Sequence, residues 1–274
     1  MEKIKVGFQG VSGSFSEEAL FLYFRVNFQT VAVSEFEDIF NGIRFGDFDY
    51  GIVPLENSST GAITHVYDLL NQNDAYIVGE TCLRVKQHLL ALPETTMDDI
   101  KEVYSHPQGF EQSRPFLKQF PSWQLISHYN TAKSAELVMK TQDKTMAAIA
   151  SSRAAELYGL NILREGINTN STNTTRFIIL SKNLNIQEQS NKISIVLATK
   201  HTAGSLFKVL KHFAENNINM LKIESRPIPD KPWEYFLYVD FEGNLQDNKI
   251  LQTIDQIKAD SEYFKLLGNY IKAE

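Results

Sequence analysis

The chain has one cysteine, Cys82, so it can form no intrachain disulfide and has no CxxC pair for metal binding or thiol exchange. In ETCLRVKQHLL, without His and Asp in an order that supports nucleophilic catalysis, it reads as a small buried hydrophobe. The six histidines include no HxxxH or HxH pair, which leaves a zinc or iron site without support. No apolar run is long enough to span a bilayer, and the opening MEKIKVGFQG alternates charged and apolar positions instead of forming an export signal. The expectation is a cytoplasmic protein with no membrane partner. The N-glycosylation patterns at Asn57, Asn170 and Asn173 are then never presented to the machinery that uses them. A net charge of -6 without a long single-sign run, and no basic stripe with interleaved aromatics, exclude nucleic acid as a partner.

What is present is 43% hydrophobic content over 274 residues, enough for more than one core, so two domains are expected. Short apolar runs alternate with helical patterns from the start. IKVGF reads as a strand, and Ser14 with Glu17 as a capping box that opens a helix. TVAV is a second strand, Ser34 with Glu37 a second cap, and Phe36, Ile39, Phe40 and Ile43 follow helical spacing. YGIVPL is a third strand, and the order is that of an α/β domain with a largely parallel sheet. The alternation continues to SSRAAELYG, where Gly159 is placed to end a helix. RFIILS closes the block, and residues 183–191 lie in a polar stretch without periodicity that reads as a linker. Beyond it, strands and helices in the order β-α-β-β-α-β give the ferredoxin-like plan over 192–274.

Three polar clusters fall where α/β sheets bind small ligands, beyond strand ends and near helix N-termini. GFQGVSGSFSEEA, residues 7–19, is a glycine-rich turn that also fits a plain capped helix. PLENSSTGAI, residues 54–63, crowds Glu56, Asn57, Ser58, Ser59 and Thr60 at the end of a buried strand, with Gly61 allowing close backbone approach. NTNSTNTTRFIIL, residues 168–180, runs eight amide and hydroxyl side chains into Arg176, Phe177 and a strand that should be central. Arg176 there needs an anion, either a ligand or a carboxylate such as Glu56.

With SHPQ at 105–108, AAIASSRAAELYGL at 147–160 and TRF at 175–177, these blocks make the sequence resemble prephenate dehydratases along nearly its whole length. The resemblance is to the monofunctional form followed by an ACT regulatory domain, marked by AGSL at 203–206 and IESRP at 223–227. It implies a periplasmic-binding-protein-like catalytic domain over 1–182, with one lobe of about 1–76 plus 161–181 and another of about 77–160. It implies decarboxylating dehydration of prephenate to phenylpyruvate, with neither metal nor redox cofactor. Thr175 would be the essential catalytic group, Arg176 would hold a substrate carboxylate, and Phe177, Glu56, Asn57, Ser58 and Thr60 would form the pocket wall.

The ACT resemblance implies phenylalanine as inhibitor, bound between domains of a homodimer or homotetramer. Ala203, Gly204, Ser205 and Leu206 would meet it together with Glu224, Ser225, Arg226 and Pro227. Ala203, Ser205 and Asn130 depart from the commoner proline, alanine and aspartate of the family. Two other readings stay open: arogenate dehydratase, the same chemistry on the transaminated substrate, and a sensor that binds amino acids without turnover.

Overall fold

The computed structural model describes residues 3–170 and 172–273; Ser171 of the polar run lies outside the described residues, as do Met1, Glu2 and Glu274. The first lobe runs β1 (Ile4–Gln9), α1 (Phe15–Tyr23), β2 (Phe28–Val33), α2 (Phe36–Phe45), β3 (Tyr50–Asn57), β4 (Gly61–Ala62) and α3 (Thr64–Gln72). Ser14 caps α1 by accepting from the Glu17 amide, while the Glu17 carboxylate takes the Gly13 amide instead of closing a box on Ser14. The second cap sits one residue later than the sequence pattern placed it. Glu35 and Asp38 make the box at α2, because the helix starts at Phe36. Gly61 adopts φ 83° in a tight return onto β3, and a Cβ there would meet nothing within 4 Å, so the turn requires glycine and close approach does not.

β5 (Tyr76–Arg84) crosses into the second lobe, formed by β6 (His88–Ala91), β7 (Glu102–Ser105), α4 (Pro107–Gln112), α5 (Arg114–Leu117), β8 (Gln124–Ser127), α6 (Thr131–Thr141), β9 (Met146–Ala150), α7 (Ser152–Tyr158) and β10 (Asn161–Arg164). Gly159 ends α7 in the left-handed region, as its position predicts. β11 (Thr174–Ser181) returns to the first lobe between β3 and β5, central as expected. Two expected lobe boundaries move. β5 pairs with β11 along its length and so belongs to the first lobe, and β10 pairs with β6 and so belongs to the second. Residue alternation along β5 carried no information on which sheet would take it.

The C-terminal unit has the expected order: β12 (Lys192–Ala198), α8 (Ser205–Glu215), β13 (Met220–Pro227), β14 (Tyr235–Glu242), α9 (Asn248–Asp260) and β15 (Tyr263–Tyr270). It does not hang free on a linker. Gly268 of β15 pairs in parallel with Ile77 of β5, which joins both units into one ten-stranded sheet in the order β13-β14-β12-β15-β5-β11-β3-β1-β2, with β4 on β3. The apolar core is continuous across the join: Val196, Tyr238, Leu267 and Tyr270 share one cluster with Ile39, Phe40 and Leu70 of the first lobe. Lys265 donates to the carbonyls of Leu70, Asn71 and Asn73, satisfying acceptors at and just past the end of α3.

A buried ion cluster lies at the same join. Arg176 of β11 places Nη2 2.8 Å from Asp240 Oδ2 of β14 and Nη1 3.2 Å from Glu56 of β3, with Nε 3.7 Å from Glu80 of β5. Lys192 of β12 lies 2.8 Å from Glu80, and Lys222 of β13 pairs with Glu56. Ser194 donates to Asp240 at 2.6 Å. Burial works against the charge on Asp240, but Arg176, Lys192 and the Ser194 hydroxyl outweigh it and hold the carboxyl below 3.8.

A Cβ on Gly268 would collide with the Ile77 carbonyl oxygen. Gly268→Val is therefore expected to cost on the order of 1–3 kcal/mol in urea unfolding, as overpacking does; unchanged stability would contradict the strand pairing. Because the folded pKa of Asp240 is depressed, its stabilisation is complete above 3.8 and is lost as pH falls through the lower folded value. Asp240→Asn should therefore lower stability at neutral pH by about 3 kcal/mol and flatten the fall in stability below pH 4, read from thermal melts across that range.

Candidate active site

Alternation along β11 decides what reaches the cleft. Thr175, Phe177 and Ile179 share one face, and Ile178 and Leu180 pack on the other with Arg176. A cavity of about 510 Å³ between the lobes is lined by Thr175 and Phe177, by Asn57 and Thr60 from the end of β3, and by Gln9, Ser14 and Ser16 around the start of α1. The second lobe adds His106, Gln108 and Gln112 of α4, and Tyr129, Asn130 and Thr131 at the start of α6. Gln87, in the short link from β5 to β6, lines the cavity where the lobes meet.

Thr175 is 8% exposed, and its hydroxyl oxygen accepts from Asn57 Nδ2 at 2.8 Å. Asn57 cannot turn its amide round without loss. Its Oδ1 accepts from the Ser59 and Thr60 amides at 2.9 and 3.1 Å, and its Nδ2 also donates to Asn173 Oδ1 at 2.7 Å. The asparagine turn at the end of β3 thus fixes which atom faces the threonine. With its oxygen occupied as an acceptor, the Thr175 O–H is left to donate, and the cavity is the direction open to it.

The sequence expectation for Arg176 and Glu56 is corrected by this geometry. Both side chains lie on the far face in the ion cluster, neither lines the cavity, and the carboxylate that Arg176 needed is protein, not ligand. Ser58 also turns away from the cavity: its oxygen accepts from the Thr174 amide. Among the described lining residues there is no Lys, Arg, Asp or Glu. Helix starts stand there instead: Ser14, His106 and Asn130 cap α1, α4 and α6 and all three line the cavity, and helix N-termini favour negative charge. His106 Nδ1 accepts from the Gln108 amide at 3.2 Å, which places a ring proton on Nε2.

The polar run is less a solvated loop than a lacing between lobes. Thr169 donates to the Gln112 carbonyl through both its amide and its hydroxyl, and Asn170 donates to Ser59 Oγ at 3.0 Å. Asn168 donates to the Val85 carbonyl and accepts from the Gln87 amide. On the opposite rim Ser151 donates to the Gly13 carbonyl at 2.9 Å, so GVSG of the first block meets ASS of the second lobe. Sequence reasoning did not single out Gln87 or His106 and read Ser14 only as a cap and Asn130 only as a departure from the family pattern, although each stands at a helix start or a lobe crossing. Cys82 is half-buried, and burial pushes its thiol pKa up, which leaves it un-ionised.

A second cavity, about 700 Å³, lies in the C-terminal unit and is lined by Ala203, Gly204, Ser205 and Leu206 with Trp233 and Tyr235. Glu224, Ser225, Arg226 and Pro227 do not reach it within one chain. They sit on the edge strand β13, where Arg226 donates to both oxygens of Asp68 in α3. Gly204 caps α8 at φ 82°, and a Cβ there would meet nothing within 4 Å, so its need is conformational.

A family model described as prephenate dehydratase matches residues 6–185, and one described as ACT domain matches residues 194–259. The bifunctional chorismate mutase/prephenate dehydratase of Aquifex aeolicus (strain VF5) is 34% identical over 273 residues, covering 99% of this chain and 75% of that protein. Among solved structures, a prephenate dehydratase from Arthrobacter aurescens in complex with L-Phe has a TM-score of 0.88 at 26% identity, covering 98% of this chain and 90% of that one. A protein described as GqqA, a novel type of quorum quenching acylase, also reaches 0.88, at 28% identity with 97% of each chain covered. Backbone likeness alone does not separate those two descriptions. The first family model spans both lobes and the cleft between them, and on that match the chain belongs to the prephenate dehydratase family, with an ACT domain following.

Proposed function

We propose that the cleft converts prephenate to phenylpyruvate by decarboxylating dehydration, and that phenylalanine, bound at the ACT domains of paired copies, inhibits it. The observation that carries the catalytic reading is the Thr175 hydroxyl, held as an acceptor by Asn57 and so turned as a donor toward the cavity. In the reaction the bond from the ring to its carboxylate breaks and CO2 leaves. The freed electron pair completes the aromatic ring as the opposite C–OH bond breaks. Thr175 donates to the departing oxygen, on which charge builds, and relays a proton from solvent so that the oxygen leaves as water.

The two substrate carboxylates would be held by helix starts and neutral amides, not by a guanidinium. Such a site binds an anion without a formal counter-charge. It also holds the carboxylate that must leave less tightly than an ion pair would, which favours decarboxylation. The same composition bears on the arogenate alternative. A substrate ammonium would find no carboxylate among the described lining residues, and the keto acid needs none. For the effector, a partner copy could bring its β13 edge, with Glu224 to Pro227, to the cavity at Ala203–Leu206, since these segments are apart within one chain.

Thr175→Ala is expected to lower kcat for phenylpyruvate formation by about a hundredfold or more, as loss of a main transition-state donor does. Undiminished turnover would dismiss the assignment. Asn57→Asp should lower kcat by about tenfold or more, because an acceptor-only carboxylate draws the threonine proton toward itself and away from substrate. Side-by-side turnover of prephenate and arogenate by the wild type should favour prephenate, and the opposite preference would overturn the argument from the uncharged lining.

A further inference from the structure

We propose that the cross-strand pair Arg176–Glu56 is the element through which the ACT domain sets the positions of Thr175 and Asn57. The proposal rests on the reading of Thr175 as catalytic and of phenylalanine as effector. Arg176 lies opposite Glu56 in the β11–β3 ladder, and Thr175 lies opposite Asn57 one step along. Each anchoring residue is therefore one peptide unit from a residue of the cleft, on the other face of the same two strands. The register shifts between Arg176 and Phe177, so the ladder is irregular beside the pair that would have to move.

The partners of this pair belong to the ACT domain. Asp240 binds Arg176 at 2.8 Å, and Lys222 binds Glu56. Both sit on strands that lead to the effector segments. β14 carries Tyr235 and Leu237 at the effector cavity and Asp240 three residues beyond Leu237, a span of roughly 10 Å. β13 carries Lys222 two residues before Glu224. A shift of either strand would be transmitted as a rigid displacement, because parting buried charges is costlier than moving them together. The cluster also has a second arrangement within reach. Among the described residues Arg176 Nε has no hydrogen-bond partner, and Glu80 Oε2 stands 3.7 Å away, a contact that a small movement would close. Arg176 and Glu56 are thus positioning residues that act through their neighbours.

The test uses the full-length protein and two ACT-domain substitutions, Lys222→Met and Asp240→Asn, with folding checked by circular dichroism. Lys222 is the less buried of the two, so it keeps the test open if Asp240→Asn fails to fold. Phenylalanine affinity is measured by calorimetry, and inhibition by phenylpyruvate formation with and without saturating phenylalanine. Wild type is expected to be inhibited about fivefold or more, within the usual range of coupling. The variants should bind phenylalanine within about tenfold of wild type, yet be inhibited less than about twofold, with the change in kcat and not in KM. A folded variant that binds phenylalanine and keeps the wild-type inhibition overturns the proposal. So does one that loses phenylalanine binding, because the residue would then belong to the effector site. If wild type does not form phenylpyruvate or ignores phenylalanine, the functional reading itself fails, a result seen without any variant, and the proposal falls with it.

Discussion

Side chains at successive positions of a β-strand must point to opposite faces, and in this molecule that constraint divides chemistry from assembly within two residues. Thr175 and Asn57 face the cleft, while Arg176 and Glu56 face the C-terminal domain. Everything placed on either side depends on β11 lying between β3 and β5. An edge strand would have left Arg176 in solvent, where an ion pair contributes little. In the middle of a ten-stranded sheet the guanidinium is buried. Burial alone would lower its proton affinity, but Asp240, Glu80 and Glu56 outweigh that effect and keep it firmly charged.

With Arg176 outside the cleft, the proposed binding of a dianion has to work without a guanidinium. The cavity presents partial charges: capped helix starts at Ser14, His106 and Asn130, and amide side chains such as Asn57. Such dipoles are oriented before a ligand arrives, so in the proposed reaction little reorganisation would be needed as charge moves. The Asn57 turn shows the same economy at atomic scale. Two backbone amides lock its oxygen, which leaves its nitrogen to orient the threonine hydroxyl.

The join between the units adds a second constraint. Gly268 lets β15 approach Ile77 closely enough to pair, and one apolar cluster fills behind it. The C-terminal domain is consequently part of the wall behind the cleft, in direct contact with the strands that carry Thr175 and Asn57. The family match in its turn accounts for both units by separate models, which agrees with a domain that has its own core of Ile193, Val209, Phe213 and Ile257.

Much of this was legible in the residues themselves. Apolar periodicity marked the strands and helices, Gly159 marked a helix end, and the crowding of ENSST and TRF at strand ends marked the cleft, because those patterns reflect local geometry that a short segment dictates. What local sequence could not supply was direction. Arg176 demanded an anion whichever way it pointed, and the sequence reading favoured substrate over a protein carboxylate until β11 was flanked by β3 and β5 and the C-terminal sheet was docked behind them. In the same way β5 reads identically in either lobe, and Ser14, His106 and Asn130 are ordinary caps until three helices from two lobes aim at one cavity. The order of residues was enough to set the elements and the chemical types available to them. Which face of each strand met the cavity was settled only when the chain folded, because sidedness depends on partners distant in the chain.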